Sequence, residues 1–154
     1  MNEELRKKYQ LLKEKNKEKV RDFSWKSNVL FTECVDILHG CKIISLEETE
    51  RLFEQLRKNF PMTKCGCIDW NYIKMSLKIH DVHEIKNVCD VSAEYYILWD
   101  QKGIPFVRCQ LMKIIDNLDD VLAVSFDTWI LSYDGKEVIE FQHEGNVTYG
   151  RVLE

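Results

Sequence analysis

Two groups of residues in this sequence are of types that could do chemistry. The first is Cys65-Gly66-Cys67 followed by His80 and His83, thiolate and imidazole ligands of the kind that hold zinc. The pattern is C-x-C-x12-H-x2-H, one residue short in each pair of the spacings that let both pairs face one tetrahedral ion. Two half-buried thiols and two surface imidazoles are the simpler expectation, with no metal or other cofactor. The second group is Asp127, Glu140 and Glu144 with His143, which a hydrolase would use as carboxylates and base. Side chains alternate across a strand, so His143 is expected on the face opposite Glu140, which separates base from acid. Gly66, Gly103 and Gly135 are isolated and form no phosphate-cradling loop. No local Cys/His signature marks a nucleophile either. The expectation is a protein that is not an enzyme, with a small metal-dependent enzyme as the remote alternative.

Charge points to binding instead. Residues 1–21 carry eight basic and four acidic side chains, whereas residues 90–154 carry five basic and twelve acidic. The basic N-terminal run reads as a solvated helix face, and the acidic end would repel phosphate, which disfavours nucleic acid. Acid interleaved with aromatic residues suits a basic protein partner, through steering and aromatic anchoring. The N-terminus opens with Glu3, Glu4, Arg6, Lys7 and Lys8 and carries no apolar leader, and no segment approaches a membrane span. A cytoplasmic location is therefore expected, where the six cysteines stay reduced.

The elements that would position these residues can be read in turn. With 154 residues, 45% hydrophobic, 31% charged, 6 Gly and 2 Pro, the chain reads as a single domain over 1–154. Residues 1–60 are expected to be helical. Leu5, Tyr9 and Leu12 make one stripe over 3–19; Leu30, Phe31, Cys34, Val35 and Leu38 make another, stopped by Gly40. Ser45-Leu46-Glu47-Glu48 is a capping box for a helix with Leu52, Phe53, Leu56 and Phe60 on one face, ending before Pro61. Residues 68–90 lean towards helix on Trp70, Ile73 and Leu77, although Ile73, Met75, Leu77 and Ile79 also alternate as a strand would. Tyr95–Trp99 reads as a buried strand, and Leu111, Ile114, Ile115 and Leu118 as a short helix. Residues 95–154 then form mostly antiparallel sheet: Val121–Leu131, a turn at Asp134-Gly135, Val138–Gln142, and Val147–Val152. The fold class is α+β, with N-terminal helices packed on a C-terminal antiparallel β-meander.

The hairpin register follows from the turn. Centring it between Asp134 and Gly135 pairs Ile130 with Ile139, Thr128 with Phe141, and Phe126 with His143 on one face, which is expected to be the core. The other face pairs Trp129 with Glu140 and Asp127 with Gln142. This second face is the expected partner surface, with Trp129 as anchor and Asp127, Tyr133, Glu140 and Glu144 around it.

Three stretches carry a resemblance: Tyr95–Asp100 (YYILWD), Asp120–Trp129 (DVLAVSFDTW) and Val138–Gly145 (VIEFQHEG). Over residues 95–152 the chain resembles bacterial immunity proteins of contact-dependent growth inhibition and related polymorphic toxin systems. The resemblance implies a small cytosolic antidote that binds the C-terminal domain of a cognate toxin, commonly a nuclease, and neutralises it by direct contact. A basic cleft in such a toxin would match the acidic end of this chain. An interaction or scaffold protein without an immunity role is the alternative.

Overall fold

The computed structural model describes residues 3–153, and the side chains of residues 13–24 are not among those described. Among the described residues, seven strands form one antiparallel sheet in the order β1-β4-β3-β5-β6-β7-β2. They are β1 (Lys42–Ile43), β2 (Met75–Ile79), β3 (Glu94–Trp99), β4 (Val107–Gln110), β5 (Thr128–Ser132), β6 (Glu137–Phe141) and β7 (Val147–Arg151). The helices are α1 (Glu3–Lys26), α2 (Val29–Ile37), α3 (Leu46–Asn59), α4 (Ile85–Val88), α5 (Leu111–Asp116) and α6 (Leu118–Leu122). This is the expected α+β arrangement, and β5-β6-β7 is the expected meander.

The central strands are buried on both faces, because their apolar runs alternate between two cores. Tyr95, Ile97 and Trp99 of β3 join Ile130, Ile139 and Phe141 in a core shared with Phe31 and Cys34 of α2, Leu111 and Ile114 of α5, and Val121 of α6. Tyr96 and Leu98 join Trp129, Leu131 and Val138 in a second core, closed by Leu52 and Leu56 of α3 and by Phe60 and Ile68. The N-terminal helices thus divide, one to each face of the sheet. A continuous apolar strand is what two covered faces require.

Local signals explain much of the helical half. Asn28 caps α2, its side chain accepting the Phe31 amide at 3.0 Å. Ser45 caps α3 as expected, accepting the Glu48 amide at 3.2 Å, and α3 gives way at Phe60 before Pro61. The first helix runs on to Lys26, and its stripe of Leu5, Tyr9 and Leu12 is exposed instead of packed. The basic run between residues 13 and 21 lies outside the described side chains. All six cysteines are unbonded thiols.

Two expectations about local structure fail. Residues 68–90 do not form one helix: Asp69 caps a 3-10 turn at Trp70–Tyr72, β2 follows, Asp81 caps a second 3-10 turn at Val82–Glu84, and only the four residues of α4 are α-helical. The pairing of β2 with β7, from Met75 opposite Arg151 to Ile79 opposite Val147, overrides the weak helical spacing. Nor is Val121–Leu131 one strand. Its first residues complete α6, favoured by Asp119 and Asp120 in the first turn and fixed by the Trp99 indole donating to the Val121 carbonyl at 2.8 Å.

Candidate functional site

The hairpin register is the one read from the turn: Thr128 opposes Phe141, Trp129 opposes Glu140, and Ile130 opposes Ile139. Asp134 holds the turn by accepting the Ser132 hydroxyl at 2.6 Å and the Lys136 amide at 3.0 Å, which keeps its carboxyl below the usual carboxylate range. Gly135 sits at φ +75, and a Cβ there would also strike the Gln55 side-chain amide at 2.5 Å.

The face carrying Trp129 and Glu140 is nevertheless interior. Trp129 and Glu140 are each 1% exposed, on the face closed by α3 and the 62–70 segment, and Asp127 is 6% exposed. These three side chains therefore stand inside the protein and do not form the surface that the alternation pattern suggested. A buried carboxylate needs compensating donors, and Glu140 has four. One oxygen accepts the Ile68 amide (2.7 Å) and the Trp129 indole (2.9 Å). The other accepts the Trp70 indole (3.0 Å) and the Gln142 amide (3.1 Å). Glu140 is the peg that fastens the 62–70 segment to the sheet.

Tyr133 and Glu144 are exposed but lie at opposite ends of the hairpin, separated by the five residues of β5, roughly 17 Å of strand. Tyr133, 64% exposed, stacks on Tyr96 with ring centroids 5.8 Å apart. The Arg108 guanidinium lies 5.7 Å from the Tyr133 ring, and its Nε is 2.9 Å from Glu94 as an ion pair outside hydrogen-bonding geometry.

At the Glu144 end the strand ladder opens, and a side chain takes over from the backbone. Asp127 Oδ1 accepts the His143 amide at 3.0 Å and lies 3.1 Å from its Nδ1. His143 Nε2 is 4.0 Å from Glu144. The imidazole is not among the four donors to Glu140, but it does meet a carboxylate, because the β5-β6 ladder ends at Phe141 and Asp127 reaches across. A base with an orienting carboxylate is half of a nucleophilic site. The hydroxyl of Ser125, which lines the same cavity as His143, is spent on the Asp127 carbonyl at 2.6 Å. Among the described residues, His143 has no hydrogen bond from a Ser, Thr or Cys.

Beside this pair is an open cavity of about 810 Å³ whose walls include Asp100, Leu122, Val124, Phe126, Phe141 and His143. Partial burial, and then the neighbouring Asp127 carboxylate, push the Asp100 carboxyl above its ordinary value. Phe126, expected in the core, is 81% exposed at this cavity. Both residues lie in stretches that carry the family resemblance, but alternation put Phe126 on the core face, where a phenylalanine is the default, and no spacing linked Asp100 to it.

The thiol and imidazole group does not assemble. Cys65 and Cys67 occupy a tight turn closed by the Thr63 amide donating to the Cys67 carbonyl at 2.7 Å, whereas His80 and His83 follow β2. Among the described residues no three His, Cys, Asp or Glu side chains are grouped to hold a metal ion. Burial, then the Glu140 carboxylate, raise the Cys67 thiol above its usual range. No helix among the described residues is long and apolar enough to cross a membrane.

No curated protein matches the chain. A family model described as "CdiI immunity protein EcoliA0-like" matches residues 28–150, well over half of the chain. The chain belongs to that family.

Proposed function

We propose that this CdiI-family immunity protein neutralises a cognate toxin by binding its C-terminal domain directly, as a single domain spanning residues 1–154. Family membership over residues 28–150 is the observation that carries the reading. The toxin domain is a basic protein, and a nuclease is the reading the charge favours. A cleft built to hold phosphate is complementary to a chain end with twelve acidic and five basic residues. The complex forms in the cytoplasm, without nucleic acid or membrane as a partner. Tyr133 and Glu144 remain in the proposed contact set because both are exposed. Trp129, Glu140 and Asp127 support that surface from beneath, holding the hairpin and the loops at its open end.

The test is co-expression with the toxin domain encoded directly upstream of this gene. Cells carrying both are expected to grow, the purified proteins to form a 1:1 complex, and association to slow as salt rises. Growth arrest in the presence of this chain, with no complex at micromolar concentrations, would sink the proposal.

A further inference from the structure

Phe126 has the highest exposure of any large apolar side chain among the described residues. A single exposed phenyl ring is ordinary on a protein surface. This one differs in being held. Its ring packs edge-on against His143, with centroids 6.0 Å apart and planes at 71°. His143 is itself fixed by two contacts to the buried Asp127 carboxylate. The ring is exposed in the wall of the cavity of about 810 Å³ that is lined by residues 122–126, 141–143, Gly145, Asp100 and Gln101. A rigid aromatic beside a concave site is the arrangement of an interface anchor, because little side-chain entropy is left to lose on binding.

The charge around it is one-sided. Asp100 is in the cavity wall, Glu144 borders His143, and no Lys or Arg lines the cavity. Asp100 also lines a second depression of about 570 Å³, where Glu50 and Glu54 of α3 stand beside Arg57 and Lys102, so the one-sided charge belongs to the first cavity. An approaching cation would relieve the repulsion between Asp100 and Asp127 and could rest against the phenyl face.

We infer that Phe126 is the anchor, and Asp100 and Glu144 the charged rim, of the surface that receives the basic toxin domain, with a toxin Arg or Lys entering the cavity. This rests on the immunity reading above and deepens it by choosing the Glu144 end of the hairpin over the Tyr133 end.

The experiment measures affinity and association rate for the full chain against a catalytically inactivated form of the upstream-encoded toxin domain. The variants are Phe126→Ala, Asp100→Lys with Glu144→Lys, Tyr133→Ala, and Tyr72→Ala as an exposed aromatic outside the cavity lining. Phe126→Ala is expected to weaken binding at least tenfold with an unchanged urea midpoint. The double reversal is expected to slow association about tenfold at low salt, and Tyr72→Ala to bind as the parent does. A loss below tenfold for Phe126→Ala, a larger loss for Tyr133→Ala, or an effect on self-association alone overturns the inference while leaving immunity intact. If the parent chain fails to bind the toxin domain, the proposed function falls and takes this inference with it.

Discussion

The indole of Trp129 donates to the carboxylate of Glu140 directly across the β5-β6 pair, at 2.9 Å, with both side chains 1% exposed. It makes a cross-strand pair on a face closed by α3, and the Trp70 indole and the Ile68 amide converge on the same carboxylate from a loop some seventy residues earlier.

Removing that carboxylate leaves four donors unanswered, two of them buried and two half-buried. Glu140→Ala is expected to cost about 3 kcal/mol or more, read as a lower urea midpoint. Glu140→Gln retains one accepting oxygen and should fall between the two. Whatever fraction remains folded should bind the toxin domain as the parent does, because Glu140 is interior. Equal stability of parent and Glu140→Ala would show that the cluster does not hold the 62–70 segment.

Gly150 offers an independent check on the same cluster. A Cβ there would lie 2.3 Å from the Trp70 ring and 3.2 Å from the Met75 carbonyl oxygen, so the ring must move. Gly150→Ala is expected to cost about 1–3 kcal/mol and to break the Trp70–Glu140 hydrogen bond. Near-ultraviolet circular dichroism and the urea midpoint report both effects. An unaltered tryptophan signal would refute the packing described here.

Alkali should find a second cluster. Tyr95 and Tyr149, each 2% exposed, donate to opposite oxygens of Glu137 at 3.2 and 2.5 Å. Burial chiefly, and in both cases the Glu137 carboxylate, raise both phenols above their ordinary value. A phenol held protonated in the fold stabilises it fully below the unfolded value of about 10, and that stabilisation disappears as pH climbs further. The thermal midpoint is therefore expected to hold to about pH 9.5 and then drop, with two tyrosines ionising only as the chain unfolds. Glu137→Gln should soften the drop by removing the carboxylate's share. Absorbance at alkaline pH showing all six tyrosines ionising together in a still-folded chain would contradict it.

The sequence determined whatever depends on neighbours along the chain. The Ser45 cap, the end of α3 before Pro61, the Asp134-Gly135 turn and the β5-β6 register from Thr128 to Ile130 follow from residues a few positions apart, and each stands as read, whereas the expected pairs Asp127–Gln142 and Phe126–His143 lie beyond the end of the ladder. The immunity family was legible from the segments around β3, β5 and β6. Tertiary structure alone decided which face is wet. Alternation with period two assigns a strand's residues to two sides but cannot say what covers each side. Glu140 therefore reads as solvent-facing until α3 and the 62–70 segment are folded over it, and Asp127 until the His143 loop is folded against it. The same limit hid β2, whose strand character comes from pairing with β7 seventy residues later. It also hid Phe126, which is exposed because the strand ladder has already opened before reaching it.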